Sequence, residues 1–463
     1  MEKIADILLN LVDKHLAWIY LLAIPVFVIF LLVIACSKYG NLKLGGKNDK
    51  PEYSAISWFA MLFCGATGIG LVFYSLAEPM SHYVNPDRGI EPMSKASASF
   101  AIRTVFLEWG LVQFSCFTII GLAMAYFVFR KNGKYTFSSM LKPLLGKSMD
   151  GKAGATLDWY SIVVSICGVA TSLGLGCIQI VGGLNYMYNV PEGNGTYIVI
   201  IGIVTIVFTL SAVSGINKGI KFLSNLNTVF AVVLLILGFC MSNKDEVMLT
   251  MTNGIGQHLQ YFFVDCLGID PYGDYEWMMN WKVFYWAWYI AWTPFVGMFM
   301  ARISKGRTIR EFIAGCVIAP SVFTIIWFSV FGTIAIDFSH GKSATLIADM
   351  AANPQTAVFK VFKTLPAGAI MSILVIALLA IFFITSADSA TYSISLLSNK
   401  GETTTPIRKI VIAVIEGGLA LLLLCTGGLK ALQTISIVAA LPFTIVMFLV
   451  MASFVKELKK EKI

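Results

Sequence analysis

Long apolar runs separated by short polar loops dominate the chain. The runs reach about 20 residues or more, enough for a helix to cross a bilayer and too long for a barrel strand. Eleven spans are predicted, near 16–37, 55–76, 98–129, 156–182, 195–214, 222–242, 279–301, 309–338, 367–397, 407–426 and 430–455. Segment 252–268 is too short and polar to span and is expected to lie as an interfacial helix. This pattern predicts an all-α integral membrane protein.

Basic residues give the spans a direction. Lys38, Lys43, Lys47 and Lys50 follow the first span, and Arg130, Lys131, Lys134, Lys142, Lys147 and Lys152 follow the third. Lys218 and Lys221 follow the fifth, Arg302 to Arg310 the seventh, Lys400 and Arg408 the ninth, and Lys456, Lys459 and Lys460 the last. The intervening loops are poor in Lys and Arg, so the basic side is cytoplasmic. The C-terminus is then inside and, with an odd number of spans, the N-terminus outside.

Two spans carry interruptions. Gly65, Gly68 and Gly70 fall in the second, and Pro294 and Gly297 in the seventh. Broken backbone at mid-depth is tolerated only around a cavity or inside protein. The second span runs inward to outward and the seventh the opposite way, so ten spans divide into two five-span halves of inverted topology. Paired interrupted helices opening such halves point to a mid-membrane transport site. The expected division is a peripheral span and loop over 1–54, a first repeat over 55–243 and an external loop with its interfacial helix over 244–278. A second repeat over 279–455 and a short cytoplasmic tail over 456–463 complete it.

Composition supports this. Of 463 residues, 57% are hydrophobic and 13% charged, against roughly a quarter charged in soluble proteins. The net charge of +8 does not indicate nucleic acid, because the basic residues sit in short loops. Nine cysteines show no metal-ligand spacing and read as small packing residues. The four histidines are scattered, so no metal site is suggested. Nothing N-terminal reads as a cleavable signal. No nucleophile–base pair is visible, and an enzyme is not expected.

The densest chemistry lies between Phe284 and Phe312. Trp286, Trp288, Tyr289 and Trp292 crowd the segment ahead of Pro294. Aromatic faces inside a membrane can hold a cationic head group. The glycine run can offer backbone N–H groups to a carboxylate, or it can pack helices closely. Glu108 and Arg103 are ionisable residues within a span. Glu108 can attract an ammonium or carry a proton; alternatively it pairs with Arg103. Thr385 and Ser386 form a hydroxyl pair that suits sodium, or they bond carbonyls of their own helix. Arg302 and Asp388 fall toward cytoplasmic span ends, where an ion pair would form an inner gate or a static support.

FYWAWYIAWTPFVGMFMARISKGRTIREF (284–312), FCGATGIGLVFYSLAEP (63–79), DWYSIVVSICGVATSLGLG (158–176) and FFITSADSATYSISLLS (382–398) resemble segments of the betaine/carnitine/choline transporter family. The resemblance runs from about Ser37 to the C-terminus. It implies a leucine-transporter-like fold with two inverted five-helix repeats and a homotrimer in the cell membrane. It also implies coupled or exchange transport of zwitterionic ammonium compounds, with a small zwitterion and the lipid bilayer as partners. The family normally has twelve spans; its first has no counterpart here, and no long charged tail suggests osmotic regulation.

The family's aromatic box maps onto Trp109, Phe114, Phe117 and Tyr289, with Phe73 and Trp288 as further candidates. Phe114, Phe117 and Tyr289 stand where Trp, Tyr and Trp are usual, so the box is softer than usual. A glycine betaine-like compound or a less methylated glycine derivative is expected. Gly68 and Gly70 are expected on the carboxylate side; Glu108 is expected on the ammonium side, with a pair to Arg103 or a place at the outer interface as the alternative. Choline carriers tend to have Asp at the place of Gly70, which speaks against choline. A sodium site is implied at Cys64, Thr67, Phe382, Thr385 and Ser386. Ser165 and Phe295 match a second, but Val169 replaces a hydroxyl there. Thr228 and Val296 stand where sodium-independent exchangers carry Arg and Met, so sodium serves as coupling ion and no other cofactor is implied. Sodium-coupled import is the expected function; sodium-independent exchange of carnitine or betaine is the alternative. A ligand-binding sensor or channel is the rival from another class.

Overall fold

The computed structural model describes residues 12–87, 89–214, 220–269 and 275–461. Helices α1 (Ala17–Cys36), α2 (Ala55–Thr67), α3 (Gly70–Tyr74) and α4 (Ala77–Val84) come first. Next are α5 (Lys95–Leu107), α6 (Gln113–Lys131), α7 (Phe137–Leu145), α8 (Lys152–Tyr188), α9 (Asn194–Ser214), α10 (Ile220–Met241) and α11 (Lys244–Leu267). The second part holds α12 (Phe284–Arg302), α13 (Ile309–Ile313), α14 (Ala319–Ser339), α15 (Ala344–Ala352), α16 (Pro354–Phe362), α17 (Gly368–Ser398) and α18 (Pro406–Leu458). Among the described residues no strand forms; a single bridge joins Lys43 to Thr308.

The helix starts follow from their caps. Ser54 accepts from the backbone of Ser57, and Ser94 from that of Ser97. Thr308 and Glu311 form a reciprocal capping box at α13. Gly428, at φ 57°, breaks α18 into two spans. π turns at Glu108–Val112 and Met279–Val283 lead into α6 and α12.

Nine helical stretches among the described residues are long and apolar enough to cross a membrane. The two other expected spans are 55–76, which is split between α2 and α3, and 279–301, which contains α12. These two have a different environment. Every residue from Phe284 to Ala301 is buried, whereas α9 and α10 expose Leu210, Phe222 and Val229 on their outer faces. The helices that open the two halves are thus enclosed, and peripheral helices carry the apolar surface.

The seventh span is not interrupted where expected. α12 is continuous through Pro294, and its irregular turn lies upstream at Met279–Val283. Gly297 serves close packing instead. A methyl there would stand 2.8 Å from Cγ2 of Ile120 and 2.9 Å from the Gly121 nitrogen, so α6 and α12 meet backbone to backbone.

Candidate functional site: an enclosed aromatic chamber

α2 ends at Thr67 because Gly68 adopts φ 58°, ψ −160°, a conformation that favours glycine. Three glycines around this break each admit a ring from another helix. A methyl on Gly65 would stand 2.7 Å from Phe299, one on Gly68 2.5 Å from Trp292, and one on Gly70 2.5 Å from Trp109 and 2.8 Å from Trp288. The glycine run is therefore the surface on which indoles rest.

The rings form one network. Trp109 lies 5.7 Å from Tyr285, 6.4 Å from Trp288 and 6.3 Å from Tyr289, edge to face in each case. Phe117 lies 6.3 Å from Tyr289 and 6.2 Å from Trp292. Three indole N–H groups are anchored. Trp109 donates to Glu78 at 2.9 and 3.1 Å, Trp288 to Ser172 Oγ at 3.0 Å, and Trp292 to the Gly168 carbonyl at 3.0 Å. The Tyr285 hydroxyl also donates to Glu78, at 2.6 Å. Tyr289 Oη is buried without a partner. None of these rings is more than 4% exposed, so the network is sealed from solvent.

Phe73 joins this network at one remove: it packs on Tyr74 at 4.7 Å, and Tyr74 lies 6.1 Å from Trp109 and 5.6 Å from Tyr285. Phe114 is fully buried but contacts no other ring among the described residues. Trp292, Tyr285 and Glu78 belong to the network and were not assigned to the box from sequence. Glu78 lay two residues beyond the predicted end of the second span. The signal that marks it is an acidic residue next to a membrane-embedded motif.

Glu108 does not pair with Arg103. Arg103 reaches Asp265 on α11 at 3.0 Å, while Glu108 faces His82 at 3.8 Å. Glu78, His82 and Glu108 gather within 4.8 Å, although the histidines are scattered in sequence. The spacing that joins them is Glu78 to His82, one helical turn, with Glu108 added by the fold.

At the expected sodium site, Gly68 brings the α2 break against α17; a methyl there would stand 3.4 Å from Ser386 Oγ. Ser386 Oγ and Thr67 Oγ1 are buried without hydrogen-bond partners. Thr385 donates to its own helix, at Ile381 (2.9 Å) and Phe382 (3.2 Å). That leaves its oxygen lone pairs to accept. Phe382 meets Phe63 of α2, with ring centroids 6.3 Å apart. Cys64 donates to the Ser224 carbonyl at 3.3 Å and contacts Thr228 at 3.7 Å. The orphaned hydroxyls fit an oxygen-ligated cation. At the second position Ser165 donates to Ser161 at 2.8 Å, Val169 is buried and Phe295 packs on Trp292 at 5.3 Å.

The expected gate pair is not formed in this conformation. Arg302 pairs with Glu52 at 3.6 Å, and buried Asp388 accepts from Ser211. Tyr53, beside Glu52 in the loop before α2, has its phenol pushed up to about 12, first by burial and then by the Glu52 charge.

An all-helical membrane architecture, with an enclosed aromatic network beside a broken helix, defines the leucine-transporter-like fold class. The crystal structure of MhsT with L-phenylalanine has a TM-score of 0.54 at 13% identity, covering 86% of this chain and 89% of that one. A substrate-bound Na+-coupled sialic acid symporter has a TM-score of 0.53 at 13% identity, covering 94% and 86%. Within that class, the betaine/carnitine/choline family transporter model matches residues 1–463, and the chain belongs to this family. It is a multi-pass membrane transporter and not an enzyme. The glycine betaine transporter OpuD of Bacillus subtilis is 41% identical over 455 residues, 97% of this chain and 88% of the relative. The ectoine/hydroxyectoine transporter of Virgibacillus pantothenticus is 39% identical over 460 residues, 99% and 91%.

Proposed function

We propose that this chain imports a small zwitterionic ammonium compound into the cell by sodium-coupled alternating access. The observation that carries the reading is the meeting of two features at one break. Gly70 seats Trp109 and Trp288, while two residues earlier Gly68 faces the unpartnered Ser386 hydroxyl. Substrate and sodium then bind on adjoining turns, and each helps to order the backbone that the other needs.

The ammonium group rests on the faces of Trp109, Trp288, Tyr289 and Phe117. A desolvated contact of this kind is worth roughly 2 kcal/mol. Glu78 holds Trp109 and Tyr285 in place by accepting from both. The free Tyr289 hydroxyl and the backbone around Gly68 and Gly70 serve the carboxylate. Sodium is held by the hydroxyls of Thr385 and Ser386 with carbonyls at Cys64, Thr67 and Phe382. The basic loops put the C-terminus in the cytoplasm. Glycine betaine is the leading substrate, in keeping with relatives named as glycine betaine transporters.

The test is uptake of radiolabelled glycine betaine, ectoine, sarcosine and glycine into proteoliposomes. An inward sodium gradient should drive uptake of glycine betaine, and replacing sodium with potassium should abolish it. Uptake that persists unchanged without sodium removes the coupling. Trp109→Ala and Tyr289→Ala should each weaken binding roughly 5- to 30-fold, the equivalent of about 1–2 kcal/mol. Unchanged affinity in both removes the box assignment.

A further inference from the structure

Beside the chamber, three polar side chains are sealed into the protein. Glu78 and His82 lie one turn apart on α4, and Glu108 reaches them from the π turn between α5 and α6. All three side chains are 0% exposed. His82 Nε2 lies 3.9 Å from Glu78 Oε1 and 3.8 Å from Glu108 Oε2. Neither His82 nitrogen has a hydrogen-bond partner, and Glu108 finds none beyond the Glu78 carboxyl beside it. Buried polar groups are almost always satisfied, and an orphaned set of this kind points to a missing ion or water. The rings of Trp281 and Trp277 lie 4.5 and 5.5 Å from that of His82 and exclude bulk water.

We propose that Glu78, His82 and Glu108 bind a divalent transition-metal ion of the zinc type. One imidazole and two carboxylates form a nitrogen–oxygen set of the kind such ions take. Tetrahedral coordination with bonds of about 2.0–2.2 Å places neighbouring ligand atoms about 3.4 Å apart. The two spacings from His82 contract to that value by about half an ångström. Two juxtaposed carboxylates in a dry interior repel each other, and a divalent ion between them cancels both charges. Glu78 is already oriented by the Trp109 and Tyr285 donors, as ligating carboxylates commonly are. The bound ion thereby fixes two walls of the chamber and favours its closed form.

Co2+ is the probe, because a tetrahedral site gives it visible absorption bands. Purified full-length protein in detergent, stripped with a chelator, is dialysed against Co2+ and the retained metal measured by elemental analysis. One ion per chain with visible bands is expected. His82→Gln and Glu108→Gln should each weaken retention at least tenfold, with unchanged size-exclusion profiles. Retention by the wild-type protein no greater than by His82→Gln or Glu108→Gln overturns the proposal and leaves the cluster to protons or water. A near-ultraviolet thiolate-to-cobalt band in place of the visible pattern assigns the metal to cysteine and also overturns it. If a variant fails to fold, the wild-type stoichiometry and spectrum decide.

Discussion

A single methyl group at Gly70 tests the chamber at the scale of one residue. It would lie 2.5 Å from one indole and 2.8 Å from another, and both rings are closely packed. Overpacking of this kind costs about 1–3 kcal/mol. Gly70→Ala should therefore lower substrate affinity roughly tenfold or more, measured by isothermal titration, while the protein still inserts and elutes as a single species. At the same scale, Tyr289→Phe keeps the ring and removes only the unpartnered hydroxyl. A several-fold loss of affinity is expected if that hydroxyl meets the substrate carboxylate, and no change removes that role. Trp109, Phe117, Trp288 and Tyr289 were legible because their motifs are dense and specific. Tyr285 and Glu78 were not, because their importance lies in a hydrogen bond between segments some 200 residues apart. In this conformation Glu52 and Ser211 reach Arg302 and Asp388 from other elements, contacts that sequence spacing does not report.

At the scale of elements, the apolar runs marked the nine membrane-length stretches among the described residues, since hydropathy reports length directly, but not the short helices α4, α7, α15 and α16. α8 was expected over 156–182 and is found over Lys152–Tyr188; α17 was expected over 367–397 and is found over Gly368–Ser398. Irregularities were less legible. The break at Gly68 was anticipated because only glycine takes its backbone conformation easily. The smooth course of α12 through Pro294 was not, because a proline removes one donor without having to end a helix inside a bundle. The α2–α17 contact gives its own prediction. Ser386→Ala removes an oxygen facing the break, so the sodium concentration for half-maximal uptake should rise about tenfold, the equivalent of about 1.4 kcal/mol. Ser165→Ala, at the second position where Val169 supplies no hydroxyl, should leave that concentration unchanged.

At the scale of the whole molecule, the last described turn is tied back to the first half. Glu461 accepts from Tyr126 at 2.8 Å and from Arg130 at 2.5 and 3.3 Å, and pairs with Lys131 at 3.0 Å. Arg130 also donates to the Lys43 carbonyl at 3.1 Å, so three distant segments meet. The Arg130 hydrogen bond leads in holding the Glu461 carboxyl down to about 2, against an ordinary value of 4.5. A depressed carboxyl contributes stability above its unfolded value and loses it as pH falls through the folded one. Glu461→Gln should therefore lower the melting temperature at pH 7. The difference should shrink as pH falls from about 4.5 toward 2, followed by differential scanning fluorimetry. An equal difference at both ends of that range would detach the clamp from the carboxylate charge.

The anchoring of the indoles divides the chamber walls into two groups. Trp109 and Tyr285 are fastened to Glu78, whereas Trp288 and Trp292 are fastened to α8. Any motion that separates α12 from α8 must undo the second pair of bonds and can leave the first intact. The two α8 bonds thus behave as a latch, holding the chamber shut by roughly 1–3 kcal/mol. A latch of that strength keeps the pathway sealed for most of the time yet yields to thermal motion, which is what a carrier needs to cycle without becoming a leak.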